Sequence, residues 1–252
     1  MSYESERFEN IRDRIGTLLW RGSWLGLELA RYNLVYWLTG SGADRIDYPS
    51  GAFQNSSVIS NELNTAHIRR LKTGIINRLQ AGPETMFPSG GNSSSVSFLD
   101  GRESIPRRAN PLRNNNFEEF YIESSVAYHD FILSGEGDLA NAFGGLTVRS
   151  RIGIRLLEIN LQHPERSRIR FENWFCKVYD EYDWNYGNLT FLTGVSDDEM
   201  IWYRDNSERF TENHRQRGRN YKIFSREWEH NTLYRSVIVN DLGSNDYPIP
   251  ML

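Results

Sequence analysis

The apolar residues of this chain change period near residue 118, and that change limits what it can fold into. Before it, Phe8, Ile11, Ile15, Leu18 and Leu19 recur at three- and four-residue steps, and Leu63, Ile68, Leu71, Ile75 and Leu79 do the same. Such spacing lays one apolar stripe along a helix. After it, "FYIESSVAYHDFIL", "GLTVRSRIGIRLLEI" and "SRIRFENWFCKVYD" alternate apolar with polar residues and are rich in Val, Ile, Tyr, Phe and Trp, the period of a strand with one buried face. Two later runs, "NYKIFSR" and "LYRSVIV", bring the expectation to at least five strands. Helices first and antiparallel strands afterwards make an α+β fold, with an N-terminal helical layer packed on a curved antiparallel sheet.

The breaks sharpen this outline. Gly22-Ser23 interrupts the first helix, and Ser23 is placed to cap a second one over Trp24 to Leu38. That second segment carries few charges and is apolar around most of its circumference, so it should be largely buried. "TGSGA" ends it, and a third helix is expected near Glu62 to Gln80, stopped by Gly82-Pro83. The chain therefore divides into a helical subdomain over 1–81, a loop-rich connector over 82–117, and an antiparallel β subdomain over 118–252 that carries the site. Together they form one compact activity domain, a reading that a length of 252 residues allows.

Composition excludes several functions. The net charge is −4 and the basic clusters are local, so there is no electrostatic footprint for nucleic acid. One cysteine, Cys176, rules out an internal disulfide framework and reads as a small buried hydrophobe within Trp174-Phe175-Cys176. The segment "MSYESERFENIRDR" is polar and charged and lacks an apolar h-region, so no Sec-type signal peptide is expected. No run approaches the ~18 apolar residues of a membrane span.

The chemistry concentrates in "KVYDEYDWNYGN", residues 177–188. If Phe175 to Tyr182 is a strand, Asp180 and Tyr182 share a face, and Asp183 follows at the strand end. Two neighbouring carboxylates favour a cation or a shared proton. The arrangement suits Mg2+ held by one or two carboxylates with phosphate oxygens completing the shell, and equally a carboxylate base beside a tyrosine donor. A solvated strand end whose acids face water explains the same residues. Among the histidines, His67 is placed on the polar side of the third helix and His163 in a turn, both at the surface. His129 is placed inside an alternating strand, and His230 is read as structural. His214 stands beside Arg215 in a polar loop ahead of a strand, a pairing that suits an acid with a phosphate clamp but also a plain solvated loop.

The span from "GGLTVRSRIGI" to "YDEYDWN" resembles the activity domain of colicin M-type bacteriocins, in which an Asp-x-Tyr-Asp-aromatic-Asn segment ends a strand of a small, open-barrel-like sheet. "ELARYNLVYWLTGSGADR" (Glu28 to Arg45) resembles the family's helix and Gly-x-Gly-Ala turn, and "RNYKIF" resembles its final strand region. By that resemblance Asp180, Tyr182 and Asp183 match the catalytic box. The family's His-Arg pair follows six residues after the last Asp, where this chain has Leu189-Thr190. His214-Arg215 is its one His-Arg dipeptide, so an insertion over roughly Thr193 to Asn213 is expected to have displaced the pair.

The resemblance implies a hydrolase that uses Mg2+ to cleave lipid II, the undecaprenyl-linked peptidoglycan precursor, between lipid and pyrophosphate in the periplasm. Asp183 would hold metal or activate water, with Asp180 as a second metal or orienting carboxylate. Tyr182 would position the site, His214 would protonate the leaving group and Arg215 would clamp the phosphate. It implies a protein made in the cytoplasm, secreted by contact, for example by a type VI apparatus, and acting on a target cell's periplasmic membrane surface. Its partners would be lipid II, a cognate immunity protein and a secretion-spike or chaperone component. The competing expectation is a non-enzymatic secretion-system adaptor with a degenerate site on the same fold.

Overall fold

The computed structural model describes residues 2–24, 26–39, 44–80, 96–97, 104–105, 117–182, 194–210, 220–230 and 236–244; at 18–24, 38–39, 96–97, 104–105, 117–118, 182 and 197 this is the backbone alone. In chain order the helices are α1 (Tyr3–Trp24), α2 (Glu28–Thr39), α3 (Gly51–Gln54), α4 (Ser57–Glu62), α5 (Ile68–Gln80), α6 (Tyr128–Leu133), α7 (Gly137–Phe143) and α8 (Asp197–Phe210). A single π turn, Leu63–His67, joins α4 to α5. The strands are β1 (Arg45–Tyr48), β2 (Val96–Ser97), β3 (Ser104–Ile105), β4 (Phe117–Val126), β5 (Leu146–Glu158), β6 (Arg168–Tyr182), β7 (Tyr221–Ser225), β8 (Trp228–Glu229) and β9 (Ser236–Ile238).

The fold is α+β, as the change of period implies. Seven strands form one open sheet in the order β1-β7-β6-β5-β4, with β8 and β9 also on β6. β6 is long enough to take β9, β8 and β7 in succession, all antiparallel. The sheet is nonetheless mixed, because β1 runs parallel to β7. Four residues, "RIDY", were too short a run for alternation to reveal.

Three other local expectations are corrected. The first helix continues through Gly22-Ser23 and ends at Trp24; the break comes at Gly26, whose φ of 70° suits a residue without Cβ. The cap of α2 comes from far along the chain instead of from Ser23: the Asp138 carboxylate accepts from the Leu29 and Ala30 N–H groups at 3.0–3.1 Å. "FYIESSVAYHDFIL" is not one strand. β4 stops at Val126, Asp130 accepts the Ala127 N–H at 3.1 Å, and α6 begins, so His129 lies exposed on a helix.

The chain gathers into two compact units that interleave along the sequence. The first comprises Met1–Ile59, Ser125–Val148 and Lys177–Arg226, and the second Ser60–Ser124, Arg149–Cys176 and Glu227–Leu252. The segmentation at 81 and 117 runs along the sequence, whereas each unit draws on three separate stretches. The connector expected over 82–117 lies outside the described residues except for the β2–β3 pair and the start of β4.

Aromatic residues build the core of the first unit. Phe8 of α1 stacks on Tyr203 of α8 at 4.4 Å, and Trp37 and Phe53 are fully buried. α8 occupies the stretch suspected of being an insertion, and it is fixed to α1 by Arg14, which ion-pairs Glu199 and donates to the Gly194 carbonyl at 2.8 Å. The core of the second unit includes Leu63, Ile68, Leu71, Ile75 and Leu79 together with Ile152, Ile154 and Trp174, all at most 2% exposed.

Along β6 the buried positions change phase. Ile169 and Phe171 are buried, then Trp174, Cys176 and Val178. Two consecutive half-exposed residues, Glu172 and Asn173, carry the shift, and the Asn173 side chain takes up the Gly153 N–H at 3.0 Å. Such a one-residue slip is the behaviour of a β-bulge, and it turns the even-numbered positions of the later half of β6 toward the core.

Candidate functional site

That slip decides where Asp180 stands. In the later half of β6 the even positions Trp174, Cys176 and Val178 are buried and the odd positions Phe175, Lys177 and Tyr179 are half-exposed. Asp180 continues the even series. Its Cα lies opposite Ile223 of β7, which in turn lies opposite Ile46 of β1. Paired residues project to the same face, so Asp180 ends a row of two buried isoleucines. Asp180 itself is half-buried, with its Oδ2 atom shielded from water. A carboxylate here does not merely face solvent at a strand end.

α2 covers that face of the first unit. Tyr36 meets Tyr221 edge-on with ring centroids 4.7 Å apart, and the Tyr221 hydroxyl donates to the Asn33 carbonyl at 3.0 Å. Asn33 is fully buried; its amide donates to the Ala142 carbonyl at 2.8 Å and its side-chain oxygen accepts from the Tyr48 hydroxyl. The segment read as "ELARYNLVYWLT" thus packs on the same sheet face as Asp180. The opposite face is different in kind: the guanidinium of Arg45 and the ammonium of Lys177 lie 4.0 and 5.0 Å from the Phe224 ring centre.

Of the other residues expected to form the site, Tyr182 closes β6 with its Cα opposite Tyr221. Asp183, His214 and Arg215 lie outside the described residues, as does Leu189. Asp180 is therefore the one expected site residue whose side chain has a described environment. Among the described residues no three His, Cys, Asp or Glu side chains converge as a metal-binding group. Mg2+ needs fewer protein ligands than that, since one or two carboxylates with waters and substrate phosphates complete its shell. A half-buried carboxylate at the end of a strand fits such a donor set.

A second polar constellation, in the second unit, was misplaced by sequence reasoning. His67, expected at the surface, is fully buried. Its Nε2 lies 2.7 Å from Ser124 Oγ on β4, and its Nδ1 lies 2.7 Å from Ser150 Oγ on β5. Trp174 Nε1 donates to the same Ser150 oxygen at 2.9 Å. Burial first, then the nearby charges of Arg70 and His230, bring the His67 pKa down to about 4. The signal was available: Leu63, His67, Leu71, Ile75 and Leu79 are spaced by four, so His67 stands on the apolar stripe.

Cys176 is buried as expected, and burial pushes its thiol up to about 12, too high for a thiolate nucleophile. His163 is exposed as expected and lies 3.4 Å from Glu165.

No family model, no curated protein and no solved structure matches this chain. Among the described residues no helix is long and apolar enough to cross a membrane.

Proposed function

We propose that this chain is an antibacterial hydrolase of the colicin M type, cleaving lipid II between its undecaprenyl chain and the pyrophosphate. The observation that carries the reading is Asp180, a carboxylate ending a row of buried isoleucines at the head of the Asp-x-Tyr-Asp-Trp-Asn box. Placing an acid where an apolar residue would pack costs desolvation energy, and such placements concentrate at functional sites. A second support is that α2, which carries the other segment resembling the family, packs on the same face.

In this reading Asp183 holds the cation or activates water, and Asp180 is the second or orienting carboxylate. Tyr182 positions the site, His214 delivers a proton to the leaving oxygen, and Arg215 clamps the pyrophosphate. Mg2+ would be held by Asp180 and Asp183 and would neutralise charge on the pyrophosphate. The enzyme acts at the periplasmic membrane surface of a target cell, reached by a contact-dependent secretion system, and the producer is protected by a cognate immunity protein.

The test is incubation of the purified protein with lipid II and Mg2+, followed by mass analysis. Free undecaprenol together with the pyrophosphate-linked disaccharide peptide supports the reading. Intact lipid II, with a chaperone or secretion-spike component bound instead, would favour the non-enzymatic adaptor.

A further inference from the structure

His67 and His230 stand on one network in the second unit. The His67 ring bridges Ser124 and Ser150, Ser150 takes the Trp174 indole N–H, and Cys176 Sγ lies 3.7 Å from the same hydroxyl. His230, half-buried after β8, meets Trp174 edge-on at 4.6 Å, and its backbone N–H donates to the Trp174 carbonyl at 2.8 Å. Its Nε2 lies 3.2 Å from Asn64 Oδ1, and Asn64 belongs to the π turn that also carries His67. One short, irregular helical turn is therefore tied to β4 and β5 through His67 and to the segment after β8 through Asn64. π turns of this kind are rare and occur frequently at functional sites.

The network is built for neutral rings. A neutral imidazole has one donor and one acceptor, and two hydroxyls satisfy it in either tautomer. An imidazolium donates from both nitrogens. Ser150 Oγ would then accept from His67 and Trp174 together, and its own proton would be left with only the weak acceptor Cys176. The groups facing His67 offer no compensation. Its own helix supplies Arg70, β4 and β5 supply the hydroxyls of Ser124 and Ser150, and β6 supplies an indole and a neutral thiol. The segment around β8 supplies His230, while Glu227 pairs with Arg151 at 3.2 Å. On β4 and β5 the charged neighbours Glu123 and Arg149 pair with each other at 2.8 Å. Among the described residues, no carboxylate hydrogen-bonds either ring.

We propose that His67 and His230 form an acid-sensing latch: the second unit is closed at neutral pH and is released from the π turn outward when the two rings take up protons. The direction follows from linkage. Both rings have pKa values brought down to about 4 from 6.5, so the open form binds protons that the closed form refuses. Between those limits each histidine raises the opening constant by about tenfold per pH unit, and the two together by about 100-fold. The first unit has no described counterpart, since its described histidine, His129, is exposed.

The test is hydrogen exchange of the full chain from pH 7.5 to 4, corrected for intrinsic exchange, alongside NMR titration of the histidine ring protons. Expected are loss of protection over 60–71, 120–124 and 149–153 as pH falls below about 6.5, retained protection in α1 and α8, and ring protons that do not titrate in the closed state above pH 5. His67→Gln and His230→Gln should each flatten the dependence by about tenfold per pH unit, and His163→Gln should leave it unchanged. Either ring titrating near 6.5 in the folded protein, or protection in the second unit unchanged down to pH 4, overturns the proposal. If His67→Gln does not fold, the wild-type titration and His230→Gln decide the question by the same criteria.

Discussion

The Tyr221 hydroxyl donates to the backbone carbonyl of Asn33 across 3.0 Å, and this bond joins the strand beside Asp180 to the helix that covers it. Asn33 also holds Tyr48 of β1 and the Ala142 carbonyl of α7. One fully buried amide therefore links one helix to a second helix and a strand, while its backbone takes a second strand.

Removing that amide should cost far more than removing the tyrosine hydroxyl. Asn33→Ala deletes two buried hydrogen bonds and strands the Ala142 carbonyl, a loss of roughly 2–4 kcal/mol, whereas Tyr221→Phe deletes this one bond for about 0.5–1.5 kcal/mol. Urea denaturation of the two variants measures the difference. A loss for Tyr221→Phe equal to that for Asn33→Ala would show that the helix is held mainly through β7.

Asp180 should separate stability from activity. Asp180→Leu continues the row of Ile46 and Ile223, so the variant should be as stable as the wild type or more so, while lipid II cleavage falls at least about tenfold. Asp183→Ala should abolish cleavage, because solvent does not replace a carboxylate that holds metal or water. A stable Asp180→Leu protein with full cleavage would remove Asp180 from the site.

The relocated His-Arg pair has its own test. Expressed toward the periplasm of a Gram-negative cell, the wild type should lyse it, while cytoplasmic expression is tolerated. His214→Ala should lower purified activity by on the order of 10²–10⁴-fold, the contribution of a positioned general acid, while His163→Ala should retain full toxicity at matched expression. Equal, full toxicity of both variants would show that His214 does not serve the box.

The residues that could be read in advance are those whose neighbours in sequence decide their environment. Alternation placed Asp180 on a strand, the apolar run Trp174-Phe175-Cys176 placed Cys176 in the core, and both are found there. Alternation did not show that Asp180 sits on the buried side, because the slip at Glu172–Asn173 reverses the phase ahead of it. His67 was read as a surface residue because polarity was weighed above its four-residue spacing; the Ser124 and Ser150 hydroxyls that make its burial tolerable lie on strands far along the chain. The same distance hid the Asp138 cap of α2 and the parallel pairing of β1. Of the proposed catalytic set, Asp183, His214 and Arg215 lie beyond the described residues, so for them the sequence remains the guide.

Acid should destabilise the protein in two stages, because two kinds of group titrate in different windows. His67 has a folded pKa of about 4 against 6.5 when free, so its cost is absent above 6.5 and grows as pH falls, reaching about 3 kcal/mol near pH 4. Glu172 behaves as an ion-paired carboxylate. Burial acts to raise its pKa, but hydrogen bonds from Arg155 at 2.7 Å and Arg170 at 2.8 Å outweigh it and hold the group below its ordinary 4.5. Its stabilisation is present above 4.5 and is lost as pH falls below that value. Glu199, held by Arg14 and Ser196 against the same burial, adds to the second stage. Denaturation midpoints measured every half unit from pH 8 to 3 should therefore begin to fall near pH 6.5 and steepen below 4.5. His67→Gln should remove about half of the first decline, leaving the share of His230, and keep the second, whereas Glu172→Gln should keep the first and weaken the second, leaving the share of Glu199. A wild-type profile flat down to pH 4.5 would show that His67 is free to take up a proton without opening the second unit.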